Sequence, residues 1–478
     1  MFQRQVLTIA VGLVAIVALA CTSSASAPEG ADEPSGSNQQ PTTAPPAPAS
    51  PTSAPQSEPT ATPEPTSSSQ SEATAVPPSP STPQAGPTPA LTATPESAST
   101  SPPEPTPTAS PEAEVPLADA VTDGLPDFMK LGWKTDFSKH SVPFSEIRSG
   151  GPRRDGIPPI DNPRFIDVAN PPDYMKDNEP VISVEINGEA KAYPLAILVS
   201  HEIVNDELGG IPITVSFCPL CNTAIVFDRR VGGEILDFGT SGNLRLSDLV
   251  MWDRQTESWW QQITGEAIVG ELTGTKLTFL PAPLISWNDF RTSFPQGQVL
   301  SRETGFGRIY NYDIPPYGGY DALNRNPFLF SGDFDDRLKP MERVVSLTIG
   351  DEAVAYPFEF LMENPVVNDT VSGKDVVVFY VGGTLSPFAG PGASENRTVG
   401  STGVFDPVVE SQKLTFGVRG NVIVDDETET TWNILGKGVV GPLKGTQLTP
   451  IVHANHFWFA WFAFNPETAV RSIEDFSG

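Results

Sequence analysis

One long stretch of this chain is written twice, and the repetition restricts the possible folds more than any other feature. Val181 to Leu195 reads Val-Ile-Ser-Val-Glu-Ile-Asn-Gly-Glu-Ala-Lys-Ala-Tyr-Pro-Leu, and Val344 to Phe358 reads Val-Val-Ser-Leu-Thr-Ile-Gly-Asp-Glu-Ala-Val-Ala-Tyr-Pro-Phe. At the same offset Val204-Asn205-Asp206 meets Val367-Asn368-Asp369. Further on, Phe238-Gly239 and Gly242-Asn243 match Phe416-Gly417 and Gly420-Asn421, Trp260 matches Trp432, and Trp287 matches Trp458. Gly270 with Gly274-Thr275 has its counterpart in Gly441 with Gly445-Thr446. A repeat of this kind reports a repeated architecture. Two homologous units are expected, at about 179–303 and 342–471, within domains spanning 179–341 and 342–478.

Within each unit the pattern is mainly β. Short alternating or β-branched runs (Val181–Ile186, Ile211–Phe217, Ala224–Asp228, Ile235–Phe238, Leu249–Trp252, Ala267–Val269, Lys276–Leu280) are separated by glycine-containing turns. Asn187-Gly188 is the strongest hairpin signal, with Gly209-Gly210 and Gly232-Gly233 similar. Helices are few: one from Pro194 toward Ser200, another through Ser286–Phe294. The expected class is mainly β (α+β), each unit a barrel-like or strongly bent sheet with short helices covering its ends.

The copies differ where chemistry would reside. Carried forward from Asn205-Asp206, Cys218 falls opposite Val381, Cys221 opposite Thr384 and His201 opposite Asn364. Cys218-Pro219-Leu220-Cys221 contains two of the three cysteines in the chain and follows the strand-like Ile213–Phe217. Haem attachment would need His after the second cysteine, where Asn222 stands. A thioredoxin-like pair starts a helix, and the sequence after Cys221 favours a strand. Three readings stay open. A Cys-Pro-x-Cys turn resembles a zinc-ribbon knuckle, which makes Cys218 and Cys221 metal ligands, with His201 the best further candidate and Zn or Cu the ion. A redox-active thiol pair, Cys218 attacking and Cys221 resolving, is the second. A structural disulfide bracing the turn is the third.

Several polar residues exceed what a plain core needs. Asp253, Arg254 and Glu257 lie among Trp252, Trp259 and Trp260, and Arg302 and Glu303 follow Val299-Leu300. They form either an ion-pair network, Arg254 with Glu257 or Arg302 with Asp253, or a polar wall around the thiols. Tyr310, Tyr312, Tyr317 and Tyr320, set among Gly and Pro in 310–325, suggest an ordered loop serving as a lid. His453 and His456 are read as packing or surface residues in a probable helix beside Phe457 and Trp458.

These motifs also carry a family resemblance. Pro212 to Phe227, the run Gly239 to Leu244, the run Ser247 to Ser258 and Leu300 to Gly305 resemble a widespread bacterial domain of unknown function, family 3179. The lead-in Ser149 to Asp161 resembles that family as well, and 116–178 is expected to pack on the first unit. The resemblance implies a secreted or lipid-anchored location and supplies no activity, cofactor or substrate.

The N-terminal part fits that location. Arg4 and the apolar run Val6 to Ala20 read as a signal peptide over 1–20, too short for a span, with Cys21 following small residues as a lipidated cysteine would. Residues 21–115 are rich in Pro, Thr, Ser and Ala, and 22–115 have no aromatic residue, Lys or Arg. Such a composition reads as a disordered stalk. The net charge of −29 argues against nucleic acid as a partner. No Gly-x-Ser-x-Gly elbow or Gly-x-x-x-x-Gly-Lys loop is present. The expectation is an extracytoplasmic lipoprotein, held to the membrane through Cys21, with a Cys/Cys/His transition-metal site. The alternatives are an extracytoplasmic thiol–disulfide oxidoreductase and a non-catalytic binding or structural module with a structural disulfide.

Overall fold

Turn chemistry sets the frame of the first copy. Between the strands Pro180–Ile186 and Glu189–Pro194 stand Asn187 and Gly188, at φ 52° and 82°. Those left-handed values are what a two-residue hairpin turn requires, and Asn-Gly supplies them most readily. The register follows, from Ile186 opposite Glu189 to Val181 opposite Pro194. Pro194 then admits the short helix Leu195–His201, whose Leu195, Ile197 and Leu198 are fully buried.

The computed structural model describes residues 124–307, 309–389 and 397–476. The signal peptide, the stalk and Cys21 expected from the sequence lie outside the described residues. No helix among the described residues is long and apolar enough to cross a membrane.

The architecture is mostly β with a few short helices, in several sheets, none of them closed into a barrel. Each unit is built from several sheets, and the barrel-like form expected for it is not found. The first copy has three larger sheets besides the small hairpin of Arg230–Val231 and Glu234–Ile235. One runs Leu284–Ser286, Pro180–Ile186, Glu189–Pro194, Gln298–Leu300 and Phe165–Asp167. A second runs Thr278–Leu280, Thr223–Asp228, Ile211–Cys218 and Ile203–Leu208, and the third Ile147–Ser149, Phe238–Arg245, Asp248–Asp253, Trp259–Gln261 and Glu266–Val269. The segment ahead of the first copy thus contributes an edge strand to two of these sheets. The second copy repeats all three orders without those edges: Ala454–Phe457, Arg343–Ile349, Glu352–Pro357 and Ala469–Val470; Val366–Val371, Lys374–Val381, Ser401–Asp406 and Thr449–Pro450; and Phe416–Arg419, Val422–Asp425, Thr431–Trp432 and Gly438–Val440.

The repeated residues explain why both copies fold alike. Asn205 and Asn368 bridge the same way, each giving its amide N–H to the Phe238 or Phe416 carbonyl and accepting that residue's backbone N–H. Tyr193 and Tyr356 each donate to a carboxylate, Asp206 and Asp369, at 2.7 Å. Asp253 and Asp425 each hold the threonine three residues on, Thr256 or Thr428, and a tryptophan indole, Trp260 at 2.8 Å and Trp432 at 2.9 Å.

The copies share cores. Trp287 and Phe290 of the first pack in one apolar cluster with Phe379, Phe405 and Trp432 of the second. In return Phe457 and Phe459 of the second join the cluster holding Cys218 and Cys221. Two local expectations differ from the structure. Ile235–Phe238 is not one strand: Glu234–Ile235 ends a small hairpin and Phe238 begins the next strand. His453 and His456 are not helical, because His456 lies on the strand Ala454–Phe457 and the helix starts at Trp458. Both are buried, as packing residues would be.

Candidate functional site

The thiol pair sits on a tight turn between two buried strands. Cys218 ends Ile211–Cys218 and pairs with Thr223, which begins the next strand. Within the turn the Cys221 N–H donates to the Cys218 carbonyl and Asn222 adopts a φ of 53°. This brings the two sulfurs to one side. Both cysteines are buried and neither is in a disulfide. Both thiols approach the Ser247 carbonyl, Cys221 at 3.5 Å and Cys218 at 3.9 Å.

The third member of the group is Asp248. Both sulfurs and one of its carboxylate oxygens lie within 4.8 Å of one another. Asp248 is fully buried; its Oδ2 accepts from the Gln261 amide at 2.6 Å and from the Ile263 N–H at 3.0 Å. Its Oδ1 is buried with no N–H or O–H donor, and the thiols of Cys221 and Cys218 are the donors beside the carboxylate. Weak thiol donors repay little of the cost of burying a carboxylate oxygen.

Glu202 stands beside this group. It follows the helix Leu195–His201 at φ 61°, a left-handed position where Gly or Asn is usual. The backbone there has a structural duty, since the Glu202 carbonyl accepts from Phe217. In the second copy the Pro365 carbonyl accepts from Tyr380 in the same way. That hydrogen bond is therefore kept in both copies, whereas the left-handed backbone and the buried carboxyl occur only in the first.

The electrostatics are those of crowded acids in a dry site. Burial, with Asp248 nearby, pushes Glu202 up to about 8. Burial raises Asp248 to about 6 against the pull of its Gln261 and Ile263 hydrogen bonds. Burial also raises both thiols, Cys221 the further. No Lys or Arg forms an ion pair with either carboxylate among the described residues. Four acidic groups thus share a buried pocket without a cation of the protein's own.

The second copy lacks each of these groups. Val381 and Thr384 stand at the cysteine positions, and the hairpin carrying Asp248 is shortened. In the first copy it spans 238–253, pairing Phe238 with Asp253 and reaching Arg245 opposite Asp248. In the second it spans 416–425, pairing Phe416 with Asp425 and closing at Arg419 opposite Val422. The extra length in the first copy is what delivers Ser247 and Asp248 to the sulfurs. Asp248 was not singled out as a ligand from sequence, although this length difference between matched hairpins was there to read.

His201 does not complete the group. Its Nδ1 meets the Pro158 carbonyl at 2.7 Å and so must be the N–H donor. Burial lowers its pKa, leaving a neutral ring whose Nε2 accepts from the Tyr312 hydroxyl at 2.7 Å. Both nitrogens are engaged, and the residue the sequence favoured as third ligand instead anchors the loop.

The polar residues pair differently from expectation. Arg254 binds Asp155 and Asp161, Glu257 binds Arg154, Arg302 binds Asp313, and Glu303 binds Arg164. Most of these pairs fasten the preceding segment to the first copy, and none of the five residues is in the ligand group. Asp253 is the tryptophan-holding carboxylate already seen in both copies, a structural role.

The tyrosine loop contributes Tyr317 and Tyr320 to the apolar cluster that holds the thiols. Tyr320 is buried in the cluster of Cys218 and Cys221, and Tyr317 packs edge-on against it at 6.4 Å. Burial, with the neighbouring thiols and, for Tyr317, Glu202, raises the pKa of both phenols. The Tyr310 ring is tilted against His201, centroids 4.9 Å apart. A cavity of about 520 Å³ opens on the other side of the loop, between Tyr312, Arg302 and the 385–389 segment.

No curated protein and no solved structure matches this chain. Residues 154–468, which include both copies and the thiol turn, match one family. The chain belongs to the family described as protein of unknown function DUF3179.

Proposed function

We propose that the first copy binds one transition-metal ion through Cys218, Cys221 and Asp248. The observation that carries the reading is the buried group itself: two thiols and a carboxylate within 4.8 Å, with one carboxylate oxygen given no N–H or O–H donor and no Lys or Arg ion-paired to the carboxylate among the described residues. A divalent ion would supply the missing charge and displace the thiol protons, as metals do at cysteine sites. Zinc suits the donor set better than copper(I). Two thiolates and a carboxylate around Zn²⁺ carry one net negative charge, around Cu⁺ two, and a buried site penalises the second more. The raised thiol pKa values weigh against the oxidoreductase reading, because an attacking cysteine needs a stabilised thiolate.

The setting we infer is a lipoprotein anchored through Cys21 outside the membrane, with 21–115 as spacer; the signal-like 1–20 run and the family resemblance support it. The test of the metal reading is metal content of the chain purified without chelator. One equivalent of zinc is expected in the wild type and in His201→Ala, and its loss in Cys218→Ser and Asp248→Asn. Loss in His201→Ala with retention in Asp248→Asn would reverse the assignment of the third ligand.

A further inference from the structure

The second copy, which lacks the thiols, grips the loop segment beside the first copy's thiol turn. Tyr320 is wedged between Phe388 and Phe457 of the second copy, ring centroids 6.2 and 6.1 Å away. The next residue, Asp321, is fully buried and gripped by that copy. Its Oδ2 accepts from Arg343 at 2.6 Å and from the Ser386 hydroxyl at 2.6 Å, and Arg397 lies 3.0 Å from Oδ1. Arg397 also donates to the Asp321 carbonyl at 2.9 Å. Just before Tyr320, the Gly319 N–H donates to the Phe388 carbonyl.

The same copy grips the thiol turn from the other side. Phe457 donates its N–H to the Cys221 carbonyl at 2.8 Å, and Thr223 shares a 2.7 Å hydrogen bond with His456. Arg343 pairs across the strands with Phe457, and its guanidinium lies 5.3 Å from that ring. Asp321, Arg343 and Phe457 therefore form one chain of contacts from the lid to Cys221.

We propose that the Asp321–Arg343–Arg397 cluster is a latch by which the second copy fixes Tyr320 over Cys218 and Cys221, and that it sets access to the thiols. These are positioning residues: none is in the ligand group. The inference goes beyond metal binding and holds for the metal-free protein, so its test is independent of the proposed function. Breaking the latch should free the loop by local opening, without unfolding the copies.

The test is native-state alkylation of the metal-free full chain by iodoacetamide, with Cys218 and Cys221 followed by peptide mass, at several urea concentrations below the unfolding transition. Arg397→Met, at a partly exposed position, should speed alkylation about tenfold or more, the loss expected for a charged hydrogen bond. The rate should depend only weakly on urea, because little surface is exposed on opening. Asp321→Asn should act in the same direction and more strongly if it folds. Arg471→Met, which removes ion pairs to Asp369 and Glu352 elsewhere in the second copy, should leave the rate unchanged. An Arg397→Met rate within about twofold of wild type, or equal acceleration in Arg471→Met, would overturn the latch.

Discussion

The pH dependence of zinc affinity follows from the state of each ligand before the metal arrives. Burial holds both thiols above their ordinary range, so at pH 7 to 8 both carry protons that binding must expel. Asp248, raised to about 6, is mostly ionised there. Two protons are thus released in this range, and affinity should rise about 100-fold per pH unit, about 2.7 kcal/mol. Below pH 6 Asp248 is protonated too, a third proton must leave, and the slope should steepen toward about 1000-fold per unit. Competition against a chromophoric chelator of known proton affinity, from pH 5 to 8, measures the slope. Asp248→Asn, if it still binds weakly, should keep the slope of two and lose the steepening. A slope near one at pH 7.5 would mean that only one thiol ligates or that one is already a thiolate, and would refute the reasoning.

Glu202 gives a stability signature in the metal-free protein. Its folded-state pKa, about 8, exceeds the ordinary 4.5, so the folded chain holds a proton that the unfolded chain gives up. Its contribution is full below about 4.5 and is lost as pH rises toward 8, by at most about 1.4 kcal/mol per unit. Glu202→Gln should raise the urea midpoint at pH 8 and leave it nearly unchanged at pH 4.5; equal shifts at both would contradict the burial argument. Asp253→Asn and Asp425→Asn, in matched networks, should each cost about 1–3 kcal/mol, read as similar shifts in the unfolding transition with zinc stoichiometry retained. A selective loss of zinc in Asp253→Asn would restore that residue to the site.

Much of the fold was legible because its signals are local. Asn187-Gly188 marks a hairpin whatever surrounds it, and Val-Asn-Asp recurs because each asparagine bridges a phenylalanine backbone in its own copy. The thiol turn was equally plain. What the linear pattern hid is what three-dimensional packing decides. His201 and Asp248 are both polar residues near strands; only the fold commits the imidazole to Pro158 and Tyr312 and swings the longer hairpin's end to the sulfurs. The ion pairs of Arg254 and Arg302 were misassigned because their partners come from Asp155, Asp161 and Asp313, which sequence proximity to the tryptophans does not suggest.

X-ray absorption at the zinc edge, on the full chain loaded with one equivalent, tests the central claim most directly. Two sulfur neighbours at about 2.3 Å with the remaining ligands oxygen at about 2.0 Å are predicted, with imidazole scattering absent. A shell without sulfur, or one with a histidine ring, would contradict the Cys218–Cys221–Asp248 site.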